Sequence, residues 1–381
     1  MKTAWQHELP PGELAFLPTR RVVWGPGSIH RLADLLDGLG AERVLVMTSR
    51  SLVQEGVSLG RVRAHCGARY AGGFDALPAH VPRSAVDAAA AAVRAARADT
   101  VVCCGGGSVI DAGKAVAARL AEEDGGPPVA LVAVPTTLSG AEFADHYGVT
   151  EERDGATAKH THTREDVTPA VVVLDAELTE ATPQWLWAGS ALKALDHAVE
   201  GLLCSGVRPV LDELAQAGVH RLAEALPESL DPRSWDARQE CQIAAWYCYF
   251  TPASLTLGLS HRIGHVLGGT YGVPHAHTSG LTLPAVTAAM GPVVPRRLDL
   301  VARALGAVDP RSPATGGARD AAAALSRLAA GAGLPTRLRQ VGIRRTDLAA
   351  IARQVMDRYP ESTAQLDGTG TDLTGLLASI W

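Results

Sequence analysis

The stretch Thr100-Val-Val-Cys103-Cys104-Gly105-Gly106-Gly107-Ser108-Val-Ile-Asp111-Ala-Gly-Lys114 decides the fold. A β-branched apolar run ends in two cysteines and three glycines, and a helical pattern of small residues follows. A strand apolar on both faces is buried on both faces, which places it in a largely parallel sheet covered by helices. Glycines between strand and helix allow backbone N–H groups and the helix dipole to converge on a phosphate. Gly105, Gly106, Gly107 and Ser108 are therefore candidate phosphate ligands, with Asp111 and Lys114 on the first turns of the helix as further cofactor-site candidates. The spacing is not GxGxxG, so the ordinary dinucleotide fingerprint is absent, and a plain flexible turn is the competing reading.

Working outward, residues 43–47, 129–134 and 171–174 are further short apolar runs that read as strands, and residues 28–38 and 82–96 read as helices between them. A second loop leaves a strand at Val134-Pro135-Thr136-Thr137-Leu138-Ser139-Gly140-Ala-Glu142. Its hydroxyls suit ribose, phosphate or carboxamide, or simply cap a turn. After Asp175 no period-2 segment follows, and Pro183 is placed to open a helix. The fold class expected is an α/β dinucleotide-binding domain with a mainly parallel sheet over residues 1–180, then an all-helical domain over residues 181–381. No internal repeat is found.

With 381 residues, 47% hydrophobic and 20% charged, the chain has ample material for two buried cores. The net charge of -5 is spread without basic clusters, which argues against nucleic acid and acidic membrane surfaces and for a small-molecule partner. No signal-peptide core or run of membrane-span length is seen, so a cytoplasmic location is expected. The six cysteines show no CxxC spacing and are expected to be reduced, with Cys103 and Cys104 as strand packing.

The second informative stretch is Gly258-Leu-Ser-His261-Arg-Ile-Gly-His265-Val-Leu-Gly-Gly-Thr-Tyr-Gly-Val-Pro-His275. It gathers imidazoles, with His261 and His265 one helical turn apart. Together with Val23-Trp-Gly25-Pro-Gly27, Phe74-Asp-Ala-Leu-Pro, the glycine loop, Pro135-Thr-Thr137, Val173-Leu-Asp175-Ala-Glu-Leu-Thr179 and Ala194-Leu-Asp-His197-Ala-Val-Glu200, it resembles the iron-containing alcohol dehydrogenase family, and within it the maleylacetate reductase branch. The resemblance implies a dehydroquinate synthase-like architecture with the active site in the cleft between two domains, and a homodimer. It further implies pyrophosphate contacts from Gly105 to Ser108, cofactor contacts from Thr136, Thr137 and Ser139, and ribose contacts from Lys159. Where NAD-preferring relatives often carry Asp after the first of these strands, this chain reads Thr48-Ser49-Arg50. A guanidinium there suits a 2′-phosphate, so the cofactor expected is NADP ahead of NAD, with Ser49 and Arg50 at the adenosine.

Metal-dependent relatives hold their ion with Asp-x-x-x-His on one helix and two later histidines. His197, His261 and His275 match the imidazoles, but the aspartate position is Lys193. An ammonium is a poor ligand and repels a divalent cation, so the resemblance together with Lys193 predicts that the metal is absent. Lys193 would then stabilise a developing alkoxide or bind a substrate carboxylate, His265 would donate the proton, and His261 and His275 would orient the substrate. Two departures bear on substrate: the aromatics Trp246-Tyr-Cys-Tyr-Phe250, and Arg358-Tyr-Pro-Glu where maleylacetate reductases carry an Asn-Pro-Arg-Pro-like segment. The reading is an NAD(P)H-dependent reductase of a small or medium oxo acid or aldehyde. A non-redox enzyme (cyclisation, elimination or isomerisation) on the same scaffold and a metal-dependent alcohol dehydrogenase with an unusual ligand set are the alternatives.

Overall fold

The computed structural model describes residues 12–78, 81–153, 156–204, 206–250, 255–308 and 317–381, with side chains for all of these except 152, 153, 156–159 and 204. The strands are β1 (Arg21–Trp24), β2 (Val44–Ser49), β3 (Tyr70–Leu77), β4 (Thr100–Gly105), β5 (Ala130–Pro135), β6 (His146–Arg153), β7 (Ala156–Thr163) and β8 (Val171–Leu174). Six form one sheet in the order β1-β8-β5-β4-β2-β3, and every pairing in it is parallel. The remaining two, β6 and β7, form an antiparallel hairpin.

Between the strands run α1 (Leu32–Leu39), α2 (Arg50–Glu55), α3 (Val57–Cys66), α4 (Arg83–Ala96) and α5 (Gly107–Asp124). The period-2 geometry of strands sends alternate residues to one face. Val44 and Val46, Val102 and Cys104, Val132 and Val134, and Val171 and Val173 accordingly share a core with Leu32, Leu36, Leu59 and Val62. Burying each such side chain contributes roughly 1.5–3 kcal/mol. On β4, Cys103 alternates with Val102 and Cys104 and meets α5, which approaches so closely that a Cβ at Gly113 would run into the Cys103 sulfur. Burial pushes the thiols of Cys103 and Cys104 up to about 12, so both are packing groups rather than nucleophiles.

From residue 184 on, the described chain is helical: α6 (Gln184–Cys204), α7 (Pro209–Ser229), α8 (Trp235–Cys248), α9 (Leu259–Tyr271), α10 (His275–Ala289), α11 (Pro295–Ala304), α12 (Gly317–Gly331), α13 (Leu348–Arg358), α14 (Pro360–Thr363) and α15 (Leu373–Ser379), with short 3-10 turns between. The change of secondary-structure type lies between β8 and α6. Packing divides the chain elsewhere. Of the described residues, one compact unit comprises those within 17–191 and 225–246, the other those within 12–16, 192–224 and 247–381. The return of 225–246 to the α/β unit has a visible cause. Arg238, wholly buried, donates to Thr179 O and Ser229 O and lies over the Trp187 ring at 4.5 Å, while Trp187 Nε1 donates to Ser229 Oγ at 3.0 Å. Among the described residues no helix is long and apolar enough to cross a membrane.

Candidate active site

Strands β2, β4, β5 and β8 all end at one edge of the parallel sheet. The connection from β2 leads to β3 on one side, and that from β4 leads to β5 on the other, so the strand order reverses between β2 and β4. Ligands of open α/β sheets bind at such switch points, beyond the carboxyl ends of the strands. The glycine loop lies at this point, and so does the Ser49–Arg50 turn. The loop after β5 adjoins it: Thr136 N–H donates to Gly105 O at 3.0 Å. A Cβ at Gly106 would stand 3.1 Å from Thr137 Cγ2, and one at Gly107 would stand 2.8 Å from Ser139 Oγ. The glycines are therefore required by the closeness of the two loops as well as by any ligand. At the start of α5, Val109 N–H and Ile110 N–H both turn back to Gly106 O, while the N–H groups of Gly107 and Ser108 belong to the first turn, which has no intrahelical acceptors. The structure thus brings together Gly105, Gly106, Gly107, Ser108, Thr136, Thr137 and Ser139.

Other candidates are placed differently. Lys114, expected near phosphate, is wholly buried, and its Nζ donates to Ala141 O at 2.5 Å and His146 O at 3.0 Å. It ties α5 to the loop before the hairpin, two turns away from the glycines. Asp111 also serves the hairpin, with Oδ2 accepting from Gly148 N–H at 3.3 Å. Ser49 caps α2 and its hydroxyl meets that of Ser51 at 3.0 Å; Arg50 is exposed on the first turn. Lys159 lies on β7 opposite Thr150, and its side chain is outside the described residues.

The second cluster is built by α6, α9 and α10. Helical spacing puts Lys193, Asp196, His197 and Glu200 on neighbouring faces of α6. Glu200, buried, takes Gly258 N–H at 2.8 Å and Ser260 N–H at 2.6 Å, so a carboxylate from one helix satisfies the orphan donors at the start of another. It also accepts from His261 Nδ1 at 2.6 Å. Asp196 Oδ2 lies 3.3 Å from the same nitrogen, accepts from Ser279 Oγ at 2.6 Å and stands 3.7 Å from Lys193 Nζ. With two carboxylates facing it, His261 Nδ1 carries a proton, which leaves Nε2 as the outward atom. His261 Nε2, His197 Nδ1 and Lys193 Nζ are buried polar atoms without a hydrogen-bond partner among the described residues. The His197 and His261 rings lie 4.4 Å apart, and Tyr249 meets His197 edge-on at 5.2 Å.

Electrostatics follow from burial and charge pairing. Burial pulls the Lys193 ammonium below its ordinary range, against the opposing pull of Asp196 and Glu200. Burial, reinforced by His261 and Lys193, holds His197 well below its ordinary value, so it is neutral. For His261 burial is outweighed by Asp196, and the imidazole is raised. For Asp196 burial is outweighed by His261 and Lys193, and the carboxyl is held far down; burial and the Asp196 charge push Glu200 up.

His265 and His275 form a second, more accessible group, with rings 6.1 Å apart and His265 6.2 Å from the Tyr359 ring. The aromatic run at 246–250 divides between uses. Trp246 stacks on Phe143 at 5.3 Å and Phe250 meets Phe16, both as packing, whereas Tyr249 narrows the space at His197. Sequence reasoning singled out Lys193, His197 and His261 but passed over Asp196, Glu200, Ser279 and Tyr249. Asp196, three residues after Lys193, and Glu200, four after Asp196, were hinted at only by that helical spacing; Ser279 and Tyr249 carried no such signal.

Residues 18–176 match the family described as iron-containing alcohol dehydrogenase, and residues 187–379 match the Fe-containing alcohol dehydrogenase family, C-terminal. The chain is 34% identical over 344 residues to the maleylacetate reductase of Pseudomonas sp. (strain P51), covering 90% of this chain and 91% of that protein. It is likewise 34% identical to the maleylacetate reductase of Sphingobium indicum, covering 89% and 90%. The crystal structure of maleylacetate reductase from Rhizobium sp. strain MTP-10005 superposes with a TM-score of 0.82 at 30% identity, over 98% of this chain and 99% of that one. A parallel sheet with a glycine loop at its switch point, a helical half carrying the histidines and these likenesses agree: the chain belongs to the iron-containing alcohol dehydrogenase family, in its maleylacetate reductase branch, and is an NAD(P)-dependent oxidoreductase.

Proposed function

We propose that this chain is a metal-independent reductase of a small oxo acid or aldehyde, with NADPH as the preferred reductant. One observation carries the metal-free reading: the position of the family's aspartate ligand holds Lys193, whose buried Nζ has no hydrogen-bond partner and lies 3.7 Å from Asp196. An ammonium there repels a divalent cation, by about 2 kcal/mol at 4 Å in a water-like dielectric and by more as the surroundings become drier. Asp196, Glu200 and His261 do lie within 4.8 Å of one another. His261 points its Nδ1 proton at both carboxylates, so on that side it offers a cation no lone pair, and the ring nitrogens left without a partner, His261 Nε2 and His197 Nδ1, share the cluster with the Lys193 ammonium in place of the family's carboxylate. The donor set does not fit the metal.

A nicotinamide cofactor held by Gly105, Gly106, Gly107 and Ser108 with Thr136, Thr137 and Ser139 would supply hydride for reduction of a carbonyl. As charge develops on the carbonyl oxygen, the Lys193 ammonium stabilises it from a desolvated position, where such a contact is worth far more than in water. Neutral His197 and the Nε2 face of His261 line the same cluster and, with His275, orient the substrate. His265, half-buried and in contact with solvent, donates the proton that completes the alcohol and is reprotonated from water. Arg50, exposed at the end of β2, supports a preference for the 2′-phosphate of NADP.

The test is optical measurement of NADPH and NADH oxidation against a panel of aldehydes and oxo acids, before and after dialysis against a strong chelator. Chelator-resistant turnover with NADPH favoured is expected. Activity lost on chelation and restored by iron or zinc would overturn the metal-free reading, and bound nucleotide that is never oxidised would favour a non-redox enzyme. Lys193→Ala should lower kcat by about 10²–10³-fold while leaving the cofactor Kd unchanged.

A further inference from the structure

We infer that Lys114 is a positioning residue for the cofactor: without touching it, the side chain holds the loop after β5 at the separation from the glycine loop that the dinucleotide requires. The inference rests on the cofactor placement proposed above, with residues 105–108 and 136–139 as its two loops. Lys114 is wholly buried on α5, inside a run of buried small and apolar residues from Ala112 to Ala118. A buried ammonium is costly unless it is paired and hydrogen-bonded. Here Nζ donates to Ala141 O at 2.5 Å and to His146 O at 3.0 Å. Burial pulls the ammonium below its ordinary range, against the opposing charges of Asp111, Glu142 and Asp145. One side chain thus gathers the two ends of residues 141–146.

That segment continues the cofactor loop. Ser139 Oγ accepts from Ala141 N–H at 3.5 Å, and Gly140 turns the chain between them at a φ of 73°. At its start the loop is fastened by Thr136 N–H on Gly105 O, by the Thr182 hydroxyl on Thr136 O at 2.8 Å, and by Leu138 N–H on Ser190 Oγ at 3.0 Å. Beyond Ser139 the fastening comes from Lys114. Clearance between the loops is small, since a Cβ at Gly107 would stand 2.8 Å from Ser139 Oγ and 3.7 Å from Ala141 Cβ. A shift of Ala141 therefore moves the atoms that face the first turn of α5, where the N–H groups offered to phosphate lie. Because Lys114 stands on that same helix, α5 carries both the phosphate donors and the tether, and the register of the two loops is set within one rigid element. Loss of the tether should appear in cofactor binding and not in the chemistry at Lys193.

Calorimetric titration of NADPH, with NADH alongside, into wild type, Lys114→Met, Ser139→Ala and the double variant tests this without any substrate being reduced. Lys114→Met should raise the cofactor Kd by about tenfold or more, the range of one charge-assisted hydrogen bond, with the loss carried by Kd and not by kcat at saturating cofactor. Lys114→Gln, which keeps an N–H donor, should fall between. Since the tether acts through the loop, Ser139→Ala should weaken binding several-fold in wild type and hardly at all in Lys114→Met. Ser139→Ala without effect in wild type, or losses that multiply in the double variant, overturns the assignment. So does a Lys114→Met protein whose melting midpoint falls while its Kd is unchanged, the mark of a purely structural tie. Hydrogen exchange of wild type with and without NADPH needs no variant to fold: protection should extend from residues 136–139 through 146, and protection that stops at 139 overturns the tether. Cofactor binding with this pattern, in a protein that reduces no carbonyl, sustains the positioning role and overturns the reductase reading; a wild type that binds neither nucleotide overturns both.

Discussion

Glu142 shows how a single buried charge makes stability depend on pH. It is buried in the α/β unit beside Lys114, and one carboxylate oxygen has no hydrogen-bond partner. Burial, only partly countered by its own backbone N–H and by Lys114, pushes its pKa from 4.5 up to about 7. A carboxyl raised in the folded state binds its proton more tightly there than in the unfolded chain. Its favourable contribution is complete below the unfolded value and is lost as pH rises through the folded one, a loss of roughly 3 kcal/mol by linkage. Glu142→Gln should thus leave stability nearly unchanged near pH 4, and gain on the order of 1–3 kcal/mol over wild type by about pH 8. Urea denaturation at both pH values checks this, and parallel wild-type and variant profiles would show that Glu142 is charged throughout. Such residues also mark the limit of what a sequence discloses. Lys193, His197 and His261 stand out because chemistry-bearing side chains at helical spacing are uncommon, but Asp196 and Glu200 read as ordinary solvated carboxylates until tertiary packing closes over them. Lys114 misleads for the opposite reason: its nearness to the glycine loop suggests phosphate, yet two turns of helix carry it to the buried face.

At the level of elements, legibility followed burial on both faces. The interior strands β2, β4, β5 and β8 are continuous apolar runs, and the sequence shows each of them. The sheet-edge strands β1 and β3 are half-exposed, and β3 contains Gly72 and Gly73, so neither has the apolar continuity that marks a buried strand. The β6–β7 hairpin carries His, Glu, Lys and Thr on residues that the periodicity of a buried strand would make apolar. Its place is fixed instead by tertiary contacts, through Asp111 to Gly148 N–H and Lys114 to His146 O. The contact of α5 with β4 is the tightest of the sheet's helix packings that a glycine controls, because Gly113 sits directly over the Cys103 sulfur. Gly113→Ala should destabilise the protein by about 1–3 kcal/mol, the usual cost of overpacking. Removing the sulfur should relieve that cost, so the double variant Cys103→Ala/Gly113→Ala should be more stable than the sum of the single changes by at least about 1 kcal/mol. Additive losses in this cycle would show that Gly113 matters for chain flexibility and not for approach to β4.

Across the whole molecule, each cluster is assembled within one packing unit: the glycine and threonine loops within the α/β unit, and the lysine–histidine cluster by the later part of α6 with α9 and α10 in the helical unit. Where a metal ligates residues from several helices, its binding free energy is also folding free energy, and a chelator loosens the fold. Here the work of joining those helices is done by hydrogen bonds, from Gly258 and Ser260 N–H to Glu200, from His261 to both carboxylates, and from Ser279 to Asp196. The helical unit should therefore keep its stability without a divalent cation. A resident metal at a hundred times its Kd would add about 2.7 kcal/mol, on the order of 5–10 °C in Tm for a unit of this size. Dialysis against a chelator should leave both the melting midpoint and the hydrogen exchange of residues 193–200 and 258–261 unchanged. Added NADPH should instead raise the midpoint and slow exchange at residues 105–108 and 136–139. A chelator-induced fall of several degrees, reversed by zinc or iron together with renewed protection at 193–200, would show that Asp196, Glu200 and His261 hold a cation despite the neighbouring ammonium, and the electrostatic role given to Lys193 would have to be abandoned.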